Sequence, residues 1–157
     1  MKPIAFTLIV ALTLLSINSS PAYAGLDSKK AMYVGGTVKM KEKATGKALT
    51  SDEKVFQFQS KYGNLDIPYD KVTSLEYGQK AGRRVAVAIL VTPFALFSKK
   101  RKHYLTITFK DESDKEQAAV FELGKDIVRV TLANLQVRTG KEIEYQDEEA
   151  QKSAKGN

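Results

Sequence analysis

Residues 103–123 read HYLTITFKDESDKEQAAVFEL, and this stretch decides the fold class. Leu105, Ile107 and Phe109 fall on one side of an extended chain, with Tyr104, Thr106 and Thr108 on the other. The polar run from Lys110 to Lys115 then turns the chain, and QAAVFEL (117–123) returns. The spacing predicts a β-hairpin.

Upstream, the same grammar repeats in shorter pieces. Tyr33 to Met40 opens the series, Ala44-Thr45-Gly46-Lys47 reads as a turn, and KVFQFQS (54–60) alternates. Lys61-Tyr62-Gly63-Asn64 turns again, and Leu65-Asp66-Ile67 stops at Pro68, which has no N–H for a ladder. VTSLEY (72–77) resumes and ends at Gly78. Downstream of Gly124, Asp126 can cap, and Ile127, Val130 and Leu135, or Val128, Leu132 and Leu135, recur at helical spacing, although Val128, Val130 and Leu132 also alternate as a strand would. Ala133, Leu135 and Gln136 favour helix, and Gly140 supplies a stop, so a helix is predicted over about 125–139. About seven strands and one amphipathic helix predict a mainly β domain: a small antiparallel barrel or sandwich capped at one end by its C-terminal helix.

The ends of the 157-residue chain carry different signals. MKPIAFTLIVALTLLSINSSPAYA (1–24) has a lone Lys2, an apolar middle and a small-x-small end, the pattern of a secretory signal peptide. Its apolar run from Ile4 to Ile17 would reach only about 21 Å as a helix, short of a ~30 Å hydrocarbon core. Residues 25–145 then form a single domain, and 146–157 are expected to fray. The expected location lies beyond the cytoplasmic membrane, in a periplasm or outside the cell, with peripheral membrane attachment as one outcome.

Composition excludes several activities. The chain has no cysteine, so disulfides, thiolate catalysis and cysteine-ligated metals are ruled out. A single histidine, His103, stands beside a Lys/Arg run whose charge disfavours its protonated form. Asp111, Glu112, Asp114 and Glu116 are closely spaced oxygens, but Lys110 and Lys115 interrupt them and no EF-hand spacing is present; they read as a solvated turn. Gly35-Gly36 lacks any phosphate-loop context and reads as a strand irregularity. No metal, cofactor or enzymatic activity is expected. The formal charge of +7 falls to about +6 when Lys2 is removed with the leader, and export turns that charge toward envelope polymers or anionic lipid rather than nucleic acid.

One segment carries the functional argument. VAVAILVTPFALF (85–97) follows Arg83-Arg84 and precedes Lys99-Lys100-Arg101-Lys102. Its larger apolar side chains represent on the order of 10–20 kcal/mol of burial as an upper bound. It is too short to span a bilayer as a helix, and Pro93 would interrupt it. Two readings stand. In one, Val85 to Val91 is a core strand and Pro93 turns a short apolar loop back into the barrel. In the other, Pro93, Phe94, Leu96 and Phe97 form a tip that enters a headgroup layer, drawn there by Arg83, Arg84, Lys99, Lys100, Arg101 and Lys102. An anionic lipid surface or an envelope protein is thus the expected partner. The rival is a structural or assembly subunit that buries the same segment against another chain.

The phrase Leu65-Asp66-Ile67-Pro68-Tyr69-Asp70-Lys71-Val72-Thr73-Ser74-Leu75-Glu76-Tyr77, with His103 to Phe109 and Val120-Phe121-Glu122-Leu123, resembles pleckstrin-homology-like domains, including their GRAM branch. The resemblance would cover Tyr33 to about Tyr145 and implies a bent seven-stranded barrel with a C-terminal helix. It also implies a non-enzymatic adaptor for anionic lipids or peptides. Export and the apolar insertion depart from that pattern, so cytosolic phosphoinositide recognition does not carry over.

Overall fold

The computed structural model describes residues 29–79 and 102–156. Eight strands form one sheet: β1 (Ala31–Gly36), β2 (Ala44–Leu49), β3 (Val55–Ser60), β4 (Gly63–Pro68), β5 (Val72–Gly78), β6 (His103–Lys110), β7 (Glu116–Leu123) and β8 (Ile143–Tyr145). A 3₁₀ turn (Lys125–Ile127) leads into helix α1 (Val128–Thr139), and helix α2 (Glu148–Lys155) ends the described chain.

The sheet order is β4-β3-β2-β1-β7-β6-β5-β8. All neighbours are antiparallel except β5 and β8, which run parallel through Leu75↔Ile143 to Tyr77↔Tyr145. The predicted hairpin is β6–β7, in continuous register from His103↔Leu123 to Lys110↔Glu116. Its turn is organised by Asp111, whose Oδ1 accepts from the Ser113 and Lys115 amides at 2.9 and 3.0 Å. The Gln117 side chain donates to Oδ2 at 2.8 Å. That bond, with the two amides, holds the Asp111 carboxyl below its ordinary range.

The mainly β class with a C-terminal helix stands, but the seven-stranded antiparallel barrel is corrected to an eight-stranded mixed sheet that does not close. Only Tyr69–Lys71, a 3₁₀ turn, separates β4 from β5. Three residues span roughly 10 Å at most, so the sheet must curl until β4 approaches β5. The two strands meet at a corner without forming a ladder. Ala44-Thr45-Gly46-Lys47, expected as a turn, lies in β2. Strand β1 shifts register between Tyr33 and Gly35, the irregularity expected at the paired glycines.

The concave face holds the core. Phe121 sits at its centre with ring centroids 5.8, 5.3 and 5.2 Å from Tyr33, Phe56 and Phe58. Ile67, Leu75, Leu105 and Ile107 join it, and α1 contributes Val128, Leu132 and Leu135. Tyr104 faces the opposite way and forms a smaller cluster with Val34 and Val120, flanked by Met32. Strands β6 and β7 therefore bury residues on both faces.

The frayed tail expected over 146–157 is also corrected. Asp147 caps α2 by accepting from the Ala150 amide at 2.7 Å, and Ala150 and Ala154, one turn apart, are buried. Gly140 ends α1 with a left-handed φ of 66°, where glycine has no Cβ penalty. The leader expected over 1–24 lies outside the described residues.

Candidate functional site

Of the residues expected to make contact, Arg83, Arg84, Pro93, Phe94, Leu96, Phe97, Lys99, Lys100 and Arg101 lie outside the described residues. Lys102 is described, and so is the root of the connection that carries the rest. Gly78 at the end of β5 pairs with Tyr104 near the start of β6. The connection from residue 79 to residue 102 thus leaves and re-enters the sheet on adjacent strands, at one end.

Several polar contacts fix this root. Lys102 Nζ donates to Glu122 Oε2 at 2.8 Å, and the Glu122 side chain is only 8% exposed. Burial, reinforced by the Glu122 charge, pushes the Tyr104 phenol up to about 12. At Gly78 an added Cβ would lie 1.8 Å from the Gln146 side chain, so glycine leaves room for the chain after β8. Gln146 uses its backbone N–H on the Tyr77 carbonyl and its side-chain amide on Glu76 Oε1, both at 3.0 Å.

His103 has acquired a partner that sequence spacing did not show. Its Nδ1 lies 2.6 Å from the Tyr77 hydroxyl, across the β5–β6 ladder. Burial raises the Tyr77 pKa and lowers that of His103, with Lys125 adding to the histidine shift and Glu122 opposing it. Phenol and neutral imidazole are therefore the matched states, with the tyrosine donating and Nδ1 accepting. Ser153 of α2 lies near the same phenol and opposes the rise of its pKa. The combination can sense a proton and hold elements together, and Tyr77 is fully buried.

A pH dependence follows. The His103 pKa is lowered from 6.5 in the folded state, so between that lowered value and 6.5 the unfolded chain binds more protons. Stability is full above pH 6.5 and falls as pH drops through the folded pKa. Urea midpoints of wild type should decline between pH 7.5 and about 5, and His103→Gln should flatten that step. A step of equal size in the variant would assign it to other groups.

Among the described residues no group of three or more acidic or histidine side chains could hold a metal ion, and Asp111 already serves its turn. No helix among them is long and apolar enough to cross a membrane. No family model matches the chain, and no curated protein aligns with it significantly.

Proposed function

We propose that this chain is an exported, non-enzymatic binding module of pleckstrin-homology-like type, and that the connection over 83–102 is its contact element. The observation that supports this most is the pairing of Gly78 with Tyr104. It roots a basic-flanked apolar segment at one end of the sheet, as an excursion between antiparallel neighbours. Lys102 is anchored to Glu122 at the same root, so one bracketing cation is already held in place.

The physical drive is twofold. Side chains as apolar as Phe94, Leu96 and Phe97 gain about 1.5–3 kcal/mol each on full burial. Each cation near an anionic bilayer adds about 1 kcal/mol, diminished by salt. The two together suit a surface that is oily beneath and negative above. The partner of choice is an anionic membrane surface.

Co-sedimentation with phosphatidylcholine vesicles, with and without phosphatidylglycerol, tests the reading. Wild type should partition to the anionic vesicles and release them as salt rises. Phe94→Asp combined with Phe97→Asp should weaken binding by at least about tenfold while the circular dichroism spectrum is unchanged. Equal binding to both vesicle types, or undiminished binding by the folded variant, overturns it. A stable oligomer in light scattering with no vesicle binding instead supports the assembly-subunit alternative.

A further inference from the structure

The sheet register lines up one row across five strands. Ser60 of β3 pairs with Gly46 of β2, Gly46 with Ala31 of β1, Ala31 with Leu123 of β7, and Leu123 with His103 of β6. The strand directions then place Lys47, Lys30 and Lys102 one residue beyond this row on β2, β1 and β6. These three positions lie on the side from which the 79–102 connection leaves. Lys30 and Lys47 thus lie along the same end of the sheet as the root, two and three strands from β6.

Next to them the surface is concave. A depression of about 610 Å³ is lined by Lys30, Lys47, Lys61, Gln59, Ser60 and Asn64, together with Thr45 and Gly46. Among the described residues, three ammonium groups line it and no carboxylate does. The depression is shallow and open to solvent; its ammonium groups only donate, while its amide and hydroxyl side chains both donate and accept. Lysines outnumber acids in this half of the domain: residues 29–64 hold eight lysines against Glu42, Asp52 and Glu53. Of those acids, Asp52 accepts the Lys54 and Val55 amides at the far end of β3.

A second observation reports a positive field at the lip. Tyr62, in the β3–β4 turn, carries Lys41 Nζ 4.0 Å and Lys61 Nζ 4.9 Å from its ring centroid. The close approach of Lys61 and Lys41 lowers the pKa of its phenol. An anion arriving there meets cations already gathered.

The geometry points to a phosphate-binding site in this depression, in which Lys47 and Lys61 flank the phosphate and the Asn64 side-chain amide donates to its oxygens, while the Ser60 hydroxyl stays bonded to the Gly63 carbonyl. Ammonium groups act on phosphate as point charges, and an amide donor adds direction. In the membrane setting proposed above, on which the source of the phosphate rests, the bound group is that of an anionic lipid headgroup. The domain would then grip the surface at two places, a cationic depression on β1–β4 and the connection rooted on β5 and β6, with β7 between them.

Amide chemical shifts of the full mature chain, titrated with inorganic phosphate, read the site directly; phosphatidylglycerol vesicles read the headgroup. Phosphate should shift Gly46, Lys47 and Asn64 saturably. Lys47→Gln with Lys61→Gln should abolish those shifts and weaken vesicle binding by about tenfold or more. Both lysines are exposed, so the variant should stay folded. Lys47→Arg with Lys61→Arg should restore binding. Lys115→Gln with Lys152→Gln removes the same net charge elsewhere and should cost little.

Saturable phosphate shifts without vesicle binding would support the site, identify soluble phosphate as its ligand and remove the membrane reading. Vesicle binding that needs Phe94 and Phe97, yet ignores Lys47 and Lys61 and comes with no phosphate shifts, would overturn the site and leave the membrane reading standing. An equal loss in the Lys115/Lys152 variant would also overturn it, because net charge alone would then explain binding.

Discussion

Phe121→Ala should lose about 3–5 kcal/mol of stability, the largest single-residue effect expected in the core. The side chain is fully buried and three aromatic rings close on it. Truncation leaves a void bounded by residues of β1, β3 and β7, which cannot collapse together without bending the sheet. Edge and tilted ring contacts add to the loss beyond buried area. Urea unfolding followed by tyrosine fluorescence is the measurement, since the chain has seven tyrosines and no tryptophan. Phe121→Leu should cost clearly less, and Val137→Ala, at a position 82% exposed, should stay within about 0.5 kcal/mol of wild type. A loss under about 1 kcal/mol for Phe121→Ala would contradict this account of the core.

Gly36→Ala should cost at least about 2 kcal/mol, from crowding. A Cβ there would lie 2.1 Å from the Ala118 carbonyl oxygen and 3.0 Å from both the Ala118 carbonyl carbon and the Ala119 Cα. All three are backbone atoms, so no rotamer change relieves the clash. The same carbonyl accepts the Thr37 amide at 2.9 Å, and the Thr37 hydroxyl accepts the Ala118 amide at 2.9 Å. Separating β1 from β7 by even a few tenths of an ångström loosens both bonds. Hydrogen exchange should accelerate along β1 and β7 in the variant. Gly140→Ala is the contrast: its φ is 66° and nothing lies within 4 Å of an added Cβ, so it should cost only about 1 kcal/mol. Equal losses at the two positions would mean that backbone conformation, not close approach, governs Gly36.

The sequence makes the β6–β7 hairpin legible because its two strands are joined by a short turn and its period-2 pattern is unbroken. Helix α1 is legible for a similar local reason, having Val128, Leu132 and Leu135 on one face. Strand β2 hides because ATGKAL has few residues of high β-propensity. Its glycine is dictated by a distant neighbour: a Cβ at Gly46 would lie 2.1 Å from the Gln59 carbonyl oxygen. Strand β8 is three residues long, below the reach of any alternation test, and α2 buries only two alanines. The capping aspartate and acidic first turn of α2 were present as signals, but nothing apolar accompanied them. The basic depression could not be read at all from spacing, because Lys30, Lys47 and Lys61 come together only through the pairing of separate strands. His103 gained Tyr77 in the same way.

The position of β1 has a kinetic consequence. It lies mid-sheet, paired on one side with β2 just after it and on the other with β7, where Ala31 meets Leu123. A chain emerging amino end first has its opening meander long before the strand that completes it. Until β7 arrives, the flank of β1 offers unpaired amides and carbonyls to any passing strand. Assembly that waits on so remote a partner is slow, in the millisecond-to-second regime of non-local β topologies. During that wait, a chaperone that shields the open flank would raise the yield of correctly folded protein.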